Sequence, residues 1–120
     1  MACILCIDDK QDVLEAVGEV LRTSGYSTLV ALSGNQGLRL LRRNSVDLVV
    51  LDYEMPGMNG ELVAHAIRRS KPEVPIVLFT GIPDDIPASV RQNVNAVVSK
   101  TDFGGLLAVV GKLNMKSSGN

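Results

Sequence analysis

Apolar residues gather in five short runs, at 3–7, 28–32, 46–51, 74–79 and 94–98. Most are continuous rather than alternating, the pattern of strands buried on both faces in a parallel sheet. Between the runs the apolar spacing changes to that of helices. Val13, Leu14, Val17, Val20 and Leu21 make one stripe, closed by Gly25 as a stop signal. Ser33 opens the second helical segment, and Gln36 three residues on predicts a capping box. The third carries Leu62, Val63, Ala66 and Ile67. It ends in Arg68, Arg69 and Lys71, where the helix dipole favours cations, and Pro72 stops it. The fourth is weak, because Pro83 and Pro87 leave only about 88–92 as helix former. The fifth shows Leu106, Leu107, Val110 and Leu113 on one face, with Gly104 and Gly105 weakening its first turn. A polar tail at 116–120 is expected to fray. A strand followed by a helix, five times over, predicts an α/β fold with a central parallel sheet and right-handed crossovers.

Composition trims the possible functions. A chain of 120 residues has room for one domain. Its 12 basic and 13 acidic side chains give a net charge of −1, which lacks the basic footprint of a nucleic-acid binder. Aromatics are 3 % with no Trp, which argues against base-stacking platforms. No apolar run approaches the roughly 18 residues of a membrane span. The N-terminal apolar run has no basic lead and meets Asp8 and Asp9 at once, unlike a signal peptide, so the expected location is the cytoplasm.

Two cysteines, Cys3 and Cys6, form a lone CxxC inside the first apolar run. Positions three apart on a strand point to opposite faces, which does not suit a redox pair. A zinc site lacks ligands, since His65 is the sole histidine. Two buried structural cysteines are expected. His65 itself reads as solvated surface, and Met55 and Met58 as loop anchors on the core.

In an open α/β sheet, sites form outside the carboxyl ends of the strands. Asp8 and Asp9 follow the first run, Asp52 and then Glu54 the third, Thr80 the fourth, and Ser99 and Lys100 the fifth. If the strand order is 2-1-3-4-5, the crevice at the topological switch lies between strands 1 and 3, which carry the acids. Crowded carboxylates raise one another's pKa unless neutralised. Three oxygen donors suit a hard cation, and magnesium fits best because it binds through one or two carboxylates plus phosphate. Lys100 and Thr80 would complete a phosphate pocket. Asp52 is the natural nucleophile of an aspartyl-phosphate chemistry. Taken singly, each residue has a plainer role: Asp9 or Asp12 as a helix cap, Thr80 as a turn residue, Lys100 as surface. Their shared position at strand ends favours the joint reading.

Asp8-Asp9, the stretch Asp52-Tyr-Glu-Met-Pro-Gly-Met-Asn-Gly60, Thr80 with a small residue after it, and Lys100 together resemble the receiver domain of two-component response regulators. The resemblance covers about residues 2–113. It implies a flavodoxin-like fold with a five-stranded parallel sheet, in a receiver domain over 1–115. It further implies that Asp52 accepts a phosphoryl group from a phosphohistidine on a sensor histidine kinase or phosphotransfer protein. Asp9, Asp52 and the backbone carbonyl of Glu54 would bind Mg²⁺ directly, and Asp8 largely through water. Thr80 and Lys100 would grip the phosphoryl oxygens. Such a domain is no conventional enzyme, since it catalyses its own phosphorylation and dephosphorylation, then signals to an output domain or protein.

The chain departs from the family at Thr101, where proline usually follows the lysine, and at Val97, where the family has a switch aromatic. Gly81 stands where alanine is common. The chemistry is expected intact and the output unusual, with the response in the backbone of 81–92. Three other readings remain at this point. Asp52-Tyr53-Glu54 loosely resembles the motif of haloacid-dehalogenase-like phosphatases, although there the nucleophile usually precedes the other acids. A flavin carrier would need a phosphate-friendly loop where Asp8 and Asp9 stand. A receiver fold used only for protein binding would have no need of Asp52.

Overall fold

Along β1 (Cys3–Ile7), Ile4 and Cys6 face one side of the sheet and Leu5 and Ile7 the other. The same alternation runs through β3 (Leu48–Leu51) and β4 (Ile76–Thr80). That two-sided burial explains why these runs are apolar without interruption. The computed structural model describes residues 1–118. The remaining strands are β2 (Ser27–Ala31) and β5 (Ala96–Ser99), and all pairings are parallel in the order β2-β1-β3-β4-β5.

Five helices cover the two faces. α1 (Gln11–Thr23) and α5 (Phe103–Ser118) press Leu14, Val17, Leu21, Leu106 and Val110 onto Ile4, Cys6, Val50, Val77 and Phe79. α2 (Gly34–Arg43), α3 (Gly60–Ser70) and α4 (Ala88–Arg91) cover the opposite face with Leu41, Val63, Ile67 and Val90. α2 lies very close to β1, since a Cβ on Gly37 would stand 2.4 Å from a methyl of Ile7. Gly25 ends α1 at φ +96°, the left-handed conformation that a non-glycine residue adopts only at a cost.

Several local expectations need correction. Leu62 is 55 % exposed. The buried stripe of α3 is Gly60, Val63, Ala64 and Ile67, a helical repeat set by the cap at Asn59, and Leu62 falls off it. Ser33 caps α2 by accepting from the Gln36 N–H at 3.1 Å, but the Gln36 side chain reaches back to the Leu32 N–H instead of closing the box. Cys3 is only partly buried, while Cys6 is 1 % exposed, and burial pushes the Cys6 thiol up to about 12. α4 is as short as its prolines require, and an unforeseen 3₁₀ turn at Pro83–Asp85 precedes it. α5 starts cleanly despite its glycines, because the Asp102 carboxylate accepts the Gly105 N–H at 2.7 Å. The expected tail begins at Lys116, yet α5 continues to Ser118; positions 119 and 120 lie outside the described residues. Met55 is buried and Met58 packs against the same core, as loop anchors should. His65 is exposed. Among the described residues no helix is long and apolar enough to cross a membrane.

Candidate phosphoryl-transfer site

All strands stay parallel, but the side on which each new strand is added reverses between β1 and β3, and there the chain delivers its acids. The Asp52 N–H donates to the Ile7 carbonyl at 2.9 Å, which extends the β1–β3 pairing one residue past β3 and sets Asp52 beside Asp8. Ligand oxygens of Asp8, Asp9 and Asp52 all lie within 4.8 Å of one another. Neither Asp9 nor Asp12 is spent as a cap. The N-cap of α1 is Lys10, without a side-chain cap, and its N–H donates to Asp8 at 2.9 Å.

Lys100 reaches across from the end of β5. Its ammonium stands 3.0 Å from Asp8 Oδ2 and 3.3 Å from Asp52 Oδ1. Its backbone N–H donates to the Thr80 carbonyl at 2.9 Å, tying the ends of β4 and β5 together. Thr80 is fully buried, and its hydroxyl oxygen accepts the Ile82 N–H at 3.2 Å. The hydroxyl proton is left to donate elsewhere.

Asp52 is 2 % exposed. Its Oδ1 accepts from Lys100 and from the Glu54 N–H at 3.3 Å, while its buried Oδ2 has no hydrogen-bond partner. Burial raises the Asp52 carboxyl above its ordinary value, the neighbouring Asp8 charge raises it further, and Lys100 opposes both. A buried carboxylate oxygen without a partner is costly, so its persistence points to a ligand that completes it. The donors are all oxygen and all acidic, which fits a hard divalent cation. Asp9 is the most open of the three acids, and among the described residues its ion-pair partner is the exposed Lys10 at 3.3 Å.

The loop after Asp52 is folded back on itself. The Gly60 N–H donates to the Tyr53 carbonyl at 2.8 Å. A Cβ at Gly60 would stand 2.6 Å from the Tyr53 Cα and 2.8 Å from the Asp52 carbonyl, so only glycine lets α3 begin this close to Asp52. Gly57 takes φ +78° within the loop. The Glu54 side chain is exposed.

Asp8, Asp9, Asp52 and Lys100 therefore meet, and Thr80 joins them through the Lys100 backbone. Spacing alone left other supports unseen. The arginine of α4, Arg91, holds the Ile86 carbonyl at 3.2 Å and the Pro83 carbonyl, stapling the loop beyond Thr80. Ser99 and Thr101 bracket Lys100 through their hydroxyls, 2.9 Å apart. The Ser-Lys-Thr-Asp sequence of 99–102, rich in turn and cap formers, was the available signal.

Fold and site define a doubly wound α/β domain whose acids and lysine converge at the topological switch point. Residues 4–110 match the family model of the response regulator receiver domain. The transcriptional regulatory protein GlrR of Escherichia coli is 36 % identical over 102 residues, 82 % of this chain and 23 % of GlrR. AfsQ1 of Streptomyces coelicolor is 39 % identical over 90 residues, 75 % of this chain and 40 % of AfsQ1. The chain thus spans less than half the length of these relatives. Among solved structures, the Thermotoga maritima response regulator TrrA in complex with Mg²⁺ and BeF superposes with a TM-score of 0.86 at 33 % identity, over 94 % of this chain and 99 % of that one. TrrA bound to the histidine kinase ThkA gives 0.87 at the same identity, over 94 % and 98 %. This chain belongs to the response regulator receiver domain family.

Proposed function

We propose that Asp52 is the phosphoacceptor of a signalling domain fed by a sensor histidine kinase or phosphotransfer protein. The observation that carries this is the Asp52 carboxylate itself, buried, with one oxygen held by Lys100 and the other bare. Asp52 would attack phosphorus as the bond to the histidine nitrogen breaks, and the electron pair of that bond leaves with the imidazole. Water attack on the phosphoaspartate would return the carboxylate and inorganic phosphate. Lys100 would move from its two carboxylates to a phosphoryl oxygen, offsetting charge as it develops. The Thr80 hydroxyl would donate to a second oxygen. Asp8, Asp9, Asp52 and the Glu54 carbonyl would hold Mg²⁺, which supplies neutralisation of the entering phosphoryl charge. The likeness to TrrA, solved with Mg²⁺ and BeF and also with a histidine kinase, supports both the cation and the partner. The receiver unit is taken as 1–115, with 116–120 as a tail into which α5 runs as far as Ser118, working in the cytoplasm on an output domain or protein and without direct contact to nucleic acid.

Intact mass after acetyl phosphate and Mg²⁺ treatment is expected to rise by one phosphoryl group, and Asp52→Asn is expected to stay unlabelled. Equal labelling of Asp52→Asn would overturn the assignment.

A further inference from the structure

Lys100 carries the site's positive charge on a flexible stem, and a lysine ammonium is aimed only as well as its backbone is fixed. The backbone here is a turn. The Asp102 N–H donates to the Ser99 carbonyl at 2.9 Å, which places Lys100 and Thr101 at its two central positions. Ser99 adds a side-chain lock, because its Oγ accepts the Thr101 N–H at 3.3 Å and pairs with Thr101 Oγ1 at 2.9 Å. A serine hydroxyl bonded to the N–H two residues on closes a local ring around the intervening residue. That residue is Lys100. On its far side the turn runs into α5, whose first turn is capped by Asp102. On its near side the Lys100 N–H is bound to the Thr80 carbonyl.

We infer that Ser99, through its hydroxyl bonds to Thr101, is a positioning residue that fixes the Lys100 backbone and so aims the ammonium at the acid cluster. A proline at 101 would have no N–H to offer Ser99, so this lock depends on the residue that stands there. Among the described residues the hydrogen bonds of the Ser99 hydroxyl run to Thr101 and not to Asp8, Asp9 or Asp52, so Ser99 acts through Lys100. The inference rests on the proposed phosphoryl chemistry for its kinetic consequence but not for its geometry.

The experiment has two arms. In the first, NMR relaxation of the Lys100 amide and side chain is compared in the wild type, Ser99→Ala and Ser99→Thr. Ser99→Ala is expected to raise Lys100 mobility, and Ser99→Thr, which keeps the hydroxyl, to restore it. Unchanged Lys100 order in Ser99→Ala would overturn the inference, whatever the domain's function. In the second arm, the rate of labelling by acetyl phosphate is expected to fall about two- to fivefold in Ser99→Ala, the scale of one exposed hydrogen bond. In a Lys100→Ala background the same substitution should change the residual rate by less than about 1.5-fold, because residues acting through one group are not additive. An equal fall in both backgrounds would mark Ser99 as merely structural. A wild type that takes no label would remove the reading of Asp52, and the first arm would still decide Ser99.

Discussion

Asp52 shows what a single buried acid costs the fold. Its carboxyl is raised chiefly by burial, with Asp8 adding and Lys100 opposing. The folded chain therefore keeps a proton that the unfolded chain has already released. Above the ordinary carboxyl value of 3.8, stability falls as pH rises until the folded carboxyl has also released its proton. Asp52→Asn removes that cost while Asp8 still holds Lys100 at 3.0 Å. In EDTA at pH 7, thermal melts of Asp52→Asn are expected a few degrees above wild type, on the order of 1 kcal/mol. The gap should close as pH falls towards the ordinary carboxyl value. A lower melt for Asp52→Asn at pH 7 would mean that Lys100 outweighs burial. At this scale the acids and Lys100 were legible, because each ends an apolar run and the period of a strand fixes which way the chain's end points. Arg91 was not, because its partners are the backbone carbonyls of Ile86 and Pro83, which look identical at every position of a sequence. Cys3 misled for a related reason: an apolar run does not show how far its first residue is covered.

Among the elements, the segment from Thr80 to β5 is built differently from the rest. Prolines leave α4 as Ala88–Arg91, and Arg91 binds the carbonyls of Pro83 and Ile86. Thr80 accepts the Ile82 N–H, so a Thr80 hydroxyl that turns towards a phosphoryl group disturbs the start of the same loop. Val97 is β-branched and partly buried, with no ring to exchange between buried and exposed states. Beryllofluoride with Mg²⁺ is therefore expected to move the amide resonances of 81–92 most. Arg91→Ala should loosen that loop already in the free form, seen as faster amide exchange there. Shifts concentrated on α1 or α5 with 81–92 unperturbed would place the response elsewhere. The helical segments were readable from their stripes where packing obeys period alone. Leu62 failed because the phase of α3 is set by its entry at Gly60, which depends on contacts made with Asp52 and Tyr53.

For the molecule as a whole, the sheet order decides function, since it alone brings β1 and β3 side by side. Five β-α units follow from hydropathy, but their order in space does not; it came with the motif resemblance and is present in the structure. The consequence is a fold that gathers three acids at one edge. If Mg²⁺ binds the folded chain alone, as proposed, it would raise stability by about 2.7 kcal/mol at a hundredfold excess over its dissociation constant. Both oxygens of Asp8 are already engaged, by Lys10 N–H and by Lys100, whereas Asp9 has only the exposed Lys10. The Mg²⁺-dependent rise in melting temperature is accordingly expected to shrink more in Asp9→Ala than in Asp8→Ala. The reverse order would make Asp8 the principal ligand.

The contact between Gly60 and Tyr53 bears on how the loop can vary. Because the N–H of one binds the carbonyl of the other at 2.8 Å, the chain leaves Asp52 and returns almost to its starting point. The start of α3 is registered on the end of β3 by this bond, and its phase is fixed beside it by the cap at Asn59. Within the stretch at 56–59 Gly57 holds a left-handed turn, Met58 packs on the core and Asn59 caps α3, so a tolerated change there is an added residue, at small entropic cost, that leaves those three in place. Such an insertion would reshape who can approach the crevice while the geometry of its charges stays as it is.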